Sequence, residues 1–204
     1  MKSAFLKSAS YIFHPLWLPT YAMLYYFSEV SFMYTYESMV AKLFAIIILT
    51  CIMPVLFLML LKPLKLVDNL HLEKVQQRRI PLLFFLTITA VITNFIFDPV
   101  EYRIPFYFFS AVFFSGIVCF LLTFLKHKIS LHAVGISTFS VFVIVFNIEY
   151  GLDGVGFTAA CILVTGWVMA SRLYMGAHTI LELITGLMLG IASQLLFLQY
   201  WNLS

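Results

Sequence analysis

Long apolar stretches alternate with short polar breaks along the whole chain, falling at approximately residues 15–28, 40–61, 81–98, 104–125, 131–148, 154–170 and 178–201. An apolar helix of roughly 18 to 20 residues crosses a hydrocarbon core of about 30 Å while satisfying its own backbone hydrogen bonds. The pattern therefore predicts an all-α, polytopic transmembrane helix bundle of six to seven spans, with residues 1–204 forming one integral-membrane domain. The first stretch is the shortest and carries Pro15 and Pro19, which reads as a retained helix or a re-entrant segment. Bulky Trp17 and Tyr21 stand where a cleaved signal peptide would need small residues.

Composition excludes a soluble domain: hydrophobic residues make up 63% of the chain, charged residues 10%, and mean hydropathy is +1.02. No nucleic-acid partner is indicated, and the partners to expect are membrane lipids. Cys51, Cys119 and Cys161 fall singly in three different apolar runs, as small buried hydrophobes do. Trp17, Trp167 and Trp201 fit an aromatic belt, and Gly186 and Gly190 read as a close helix contact.

The distribution of charge adds more than its total. With seven spans, ten of the twelve basic residues share one membrane face, here face A: Lys2, Lys7, Lys62, Lys65, Lys74, Arg78, Arg79, Lys126, Lys128 and Arg172. The positive-inside rule would make that face cytoplasmic, in what is expected to be a bacterial inner membrane. An anion site on face A would account for some of these cations instead, so both explanations stand.

Three polar clusters fall on face A by the same count: Lys74, Arg78 and Arg79 after the second span, "KHKISLHA" after the fourth, and "SRLYMGAH" after the sixth. Lys74 and Arg78, four apart, would share one face of a helix; a cluster in contact with acidic headgroups is the plainer reading of that segment. Ionisable groups this close to hydrocarbon are costly and mark sites or buried pairs. If the chain is helical from His178, Glu182 lies at i,i+4, where its carboxylate accepts the Nδ1–H of the imidazole and frees Nε2 as nucleophile or ligand. Arg172 offers a planar fork matched to phosphate oxygens, and helices starting at Leu131 and His178 aim amide N–H groups at the same face. The ligand should be anionic. His14, His71 and His127, by contrast, read as interfacial hydrogen-bonding residues, and Lys126 and Lys128 as cations that snorkel.

"SRLYMGAH" followed by "TILE" resembles the third signature of the type 2 phosphatidic acid phosphatase superfamily. "ISLHA" resembles its second, with Ile129 and Leu131 where proline and glycine are usual. "K…RRIP" is similar to its first, with Ile80 between Arg79 and Pro81. The resemblance implies a metal-independent hydrolase of lipid phosphates or diphosphates working through a phosphohistidine, with no cofactor. His178 would be the nucleophile, Glu182 its orienting acid, and His132 the acid and base at the leaving oxygen. Arg172, Lys74, Arg78, Arg79, Ser130 and the Leu131 amide would hold the phosphoryl oxygens. A polyprenyl diphosphate, phosphatidate, phosphatidylglycerol phosphate or a lipid A phosphate would each suit. Two other readings compete: a metal site of His132, His178 and Glu182, which the surrounding cations disfavour, and a non-catalytic protein that binds or transports an anionic lipid.

Overall fold

The computed structural model describes residues 2–68, 72, 74–198 and 200, so the expectations for His71 and Trp201 lie outside the described residues. Its helices are α1 (Lys2–Ile12), α2 (Leu18–Glu29), α3 (Tyr36–Leu61), α4 (Val75–Ile96), α5 (Arg103–Leu122), α6 (Leu131–Glu149), α7 (Val155–Tyr174) and α8 (Ile180–Leu198). No strand occurs among the described residues. The six helices from α3 to α8 are long and apolar enough to cross a membrane, which makes this a multi-pass membrane protein.

The first apolar stretch is not one helix. Pro15 and Pro19 remove two backbone donors, and the residue before a proline is pushed out of helical geometry. The chain accordingly breaks between Ile12 and Leu18. α1 crosses α7, with Phe5 stacked on Trp167 at 4.6 Å and the hydroxyls of Ser10 and Ser171 at 2.7 Å. Trp167 thus packs in the contact between α1 and α7. α2 has only 12 residues, yet it runs beside α6, from Leu18 against Gly135 to Tyr25 hydrogen-bonded to Asn147. It is a short, largely buried helix laid along α6, and it is not among the six helices long enough to span.

α4 begins earlier than the apolar pattern predicts. A 3₁₀ turn over Val75–Arg78 leads into it, and Pro81 falls within the first turns of the helix, where a missing N–H costs nothing. Lys74 precedes that turn in extended conformation, so it does not share a helical face with Arg78. In α3 the ladder slips to a π-turn over Ile48–Ile52 just before Pro54, which has no N–H to give. The Cys51 thiol, on this turn, donates to the Leu16 carbonyl at 3.1 Å and so ties α3 to the break between α1 and α2.

α6 is the axis of the bundle, with 61% of its span window buried against 17% for α7. α8 packs on it through Gly186 and Gly190. A Cβ on Gly186 would lie 2.8 Å from the Ser130 carbonyl oxygen, and one on Gly190 would meet Ser137 Oγ and lie 2.5 Å from the Val134 carbonyl oxygen. Small residues let helix backbones approach in lipid, where packing replaces the hydrophobic driving force. Gly190→Ala is expected to destabilise the protein by about 1–3 kcal/mol, the usual range for overpacking. A lowered melting temperature in detergent would register it; an unchanged one would mean that the contact yields.

Candidate functional site

The loops at face A and the upper turns of the helices enclose a cavity of about 450 Å³. Its polar end is built by Ser10, His14, Arg78, His132, Arg172 and His178. Below them the walls turn apolar, from Pro54 to Leu58 on α3, through Phe84 and Phe85 on α4, to Phe108 and Phe139 on α5 and α6. Four segments far apart in sequence thus deliver their charged and imidazole side chains to one pocket.

His178 stands just before the first turn of α8. Gly176, two residues past the end of α7, has a φ of +61° that suits a residue without a Cβ, and the Ala177 amide closes on the Arg172 carbonyl at 3.1 Å. α8 then opens with a reciprocal capping box: Thr179 Oγ1 accepts from the Glu182 amide at 3.3 Å, and Glu182 Oε2 accepts from the Thr179 amide at 3.2 Å. The same Oε2 takes the His178 Nδ1–H at 2.8 Å. The sequence reading placed this pair on a continuous helix. In fact His178 lies outside the helix, and the capping carboxylate reaches back to it. Nε2 is left free of protein partners among the described residues. Burial holds His178 below the ordinary histidine range; the Glu182 bond opposes this, and the charges of Arg78, Arg172 and Lys128 reinforce it.

His132 opens α6, capped by Ser130 Oγ accepting from the Ala133 amide at 3.3 Å. The Ser130 amide donates to the Glu182 carbonyl at 3.2 Å, which joins the starts of α6 and α8. The amides of Leu131 and His132 have no partner among the described residues, as expected at a helix N-terminus. His132 Nε2 donates to the Ser10 carbonyl at 3.1 Å, leaving Nδ1 to exchange a proton.

Arg172 makes no hydrogen bond or ion pair with any described residue, and its buried Nε has no partner. A guanidinium in a cavity without a protein counter-charge keeps its donors available to an anion. Arg78 is buried too, but it is partly spent on structure: Nε donates to the Leu72 carbonyl at 2.9 Å and Nη1 to the Ile129 carbonyl at 2.8 Å. Of the anticipated anion-holding residues, Arg172, Arg78 and Leu131 line the cavity and Lys74, Arg79 and Ser130 do not. Arg79 donates to the Thr123 carbonyl at 3.3 Å and lies over Phe124 at 4.3 Å. Lys74 pairs with Asp68 at 2.7 Å in an exposed loop. Ser130 is consumed by its capping role. Lys74→Ala should therefore leave activity within about twofold of wild type, since exposed pairs contribute little; a tenfold loss would return the lysine to the site.

His14, expected only as an interfacial hydrogen-bonding residue, lines the same pocket. Its ring stands edge-on to His132 with centroids 5.1 Å apart, and its Nδ1 accepts from the Leu16 amide at 3.3 Å. Burial, and then the Arg172 charge, push it down to about 4. The available signal was its position: it falls on face A immediately before Pro15, the residue that breaks the helix and folds this segment into the pocket.

Among the described residues no group of three or more His, Cys, Asp or Glu is placed to hold a metal ion. No protein family, curated protein or solved structure matches the chain.

Proposed function

We propose that the protein is a membrane-embedded, metal-independent phosphatase of lipid phosphates, of the type 2 phosphatidic acid phosphatase kind. One observation carries the reading: an unpaired arginine and a histidine with a free Nε2 share the polar end of a cavity whose remaining walls are apolar. A phosphate would occupy the polar end, and a hydrocarbon tail the rest.

In this mechanism Arg172, Arg78 and the amides at the start of α6 hold the phosphoryl oxygens, where charge spreads as the transition state forms. His178 Nε2 attacks phosphorus in line, and the bond to the lipid oxygen breaks. Protonated His132 gives its proton to the departing alkoxide. Neutral His132 then takes a proton from water, whose oxygen attacks the phosphohistidine and releases inorganic phosphate. Glu182 holds Nδ1–H throughout and stabilises the positive charge that develops on the ring.

The test is phosphate release by purified protein in EDTA, over a panel of lipid phosphates and diphosphates. Release that persists in chelator is expected. Loss of activity in EDTA with recovery on adding a divalent metal would sink the metal-independent reading. Lipid binding without release by wild type would identify a non-catalytic anionic-lipid protein.

A further inference from the structure

Below its polar end the cavity has a second feature that phosphate chemistry does not use. Thr138 on α6 and Ser115 on α5 both line it, and both residues are 4% exposed. Thr138 lies seven residues below Leu131, and Ser115 seven residues from the face A end of its antiparallel helix at Leu122. At 1.5 Å per residue each is about 10 Å below that end. Two hydroxyls on separate helices thus share one level of an otherwise apolar wall.

Threonines within spanning helices usually return the hydroxyl to the carbonyl one turn earlier. Thr89, Thr93 and Thr165 do so here, at 3.0, 2.8 and 2.8 Å. Thr138 does not: its Oγ1 is buried and has no partner among the described residues. Ser115 gives its proton to the Val112 carbonyl at 2.8 Å, so the donor still unassigned at this level belongs to Thr138. A hydroxyl donor left unpaired in a dry apolar setting is costly, and a ligand able to accept from it offsets that cost.

We infer that Thr138 is a specificity residue that donates to an ester or amide carbonyl of an acylated lipid phosphate bound with its headgroup at Arg172. The inference rests on the proposed lipid phosphatase reading and narrows its substrate class. In an acylated glycerol phosphate the ester carbonyls are the acceptors between the phosphate and the hydrocarbon, and so the groups that can meet a donor on this wall. A polyprenyl phosphate has no acceptor along its tail and would leave Thr138 unpaired.

The experiment compares full-length wild type, Thr138→Val and Thr138→Ser in detergent micelles, on a diacyl glycerol phosphate, its ether-linked dialkyl analogue and a polyprenyl phosphate. Wild type is expected to show kcat/KM about tenfold higher on the ester than on the ether. T138V, which keeps shape and loses the hydroxyl, should erase that difference by lowering the ester value alone, and T138S should restore it. Equal wild-type rates on ester and ether would overturn the inference, as would a T138V loss shared by all three lipids. If wild type releases phosphate from none of them, the phosphatase reading fails by itself. Binding of the same ester and ether lipids, with T138V beside wild type, then tests the carbonyl contact independently: ester preference lost in T138V upholds it, and its absence in wild type refutes it.

Discussion

Phosphate release by His178→Ala is expected to fall on the order of 10³-fold or more, with lipid binding retained, because no other free imidazole nitrogen backed by a carboxylate lines the cavity among the described residues. Loss of a nucleophile removes a chemical route, whereas loss of a binding group only weakens one. The pH profile sharpens the test. Burial and neighbouring cations hold His178 below the ordinary value of 6.5, so Nε2 remains unprotonated as pH falls from 7 through 6. Activity that depends on this nitrogen is lost only when pH drops through the depressed value. The acid limb of kcat/KM should lie below the usual histidine range. Glu182→Gln withdraws the one partner that raises the proton affinity of the ring, so it should move that limb further down while lowering the rate. An upward shift would mean that Glu182 does not act through His178. Trapping of phosphate on His178 in wild type, absent from H178A, would identify the intermediate.

Arg172→Ala is the second large effect, a loss in kcat/KM of about a hundredfold to a thousandfold, the range for removing a preorganised charged donor from a dry site. The guanidinium spends none of its hydrogen-bonding capacity on the described protein, so truncation removes ligand contacts and little else. Arg172→Lys restores the charge without the planar fork and should recover only part of the loss. Equal activity of the lysine variant and wild type would show that the site needs charge alone. Thermal stability of R172A should stay at or above that of wild type, since an unpaired, half-buried cation opposes folding; a large fall would point to a structural role.

The helical bundle was legible because lipid leaves few alternatives: an apolar run of this length must close its backbone hydrogen bonds within itself. The pairing of His178 with Glu182 was legible from spacing, although the local geometry was not. Spacing of four is also that of a capping carboxylate reaching back past Thr179, and only coordinates tell the two apart. Lys74 misled because a basic cluster in sequence says nothing about which cation a nearby carboxylate captures; Asp68 takes it, while Arg78 turns inward onto the Ile129 carbonyl. His14 read as a plain interfacial residue because its place in the pocket follows from a proline break that folds a weakly apolar segment against α6. Thr138 could not have been singled out, since in sequence it is one of several span threonines and differs only in leaving its hydroxyl unpaired.

The hydrogen bond from the Ser130 amide to the Glu182 carbonyl has a mechanical consequence. With Gly186 and Gly190 seated against the same helix, it makes the mounts of His132 and His178 a single rigid body. A thicker or thinner bilayer would tilt that body as a whole rather than change the gap between its two imidazoles. Varying the chain length of the surrounding host lipid will then alter how often substrate is captured and leave the turnover of captured substrate nearly constant.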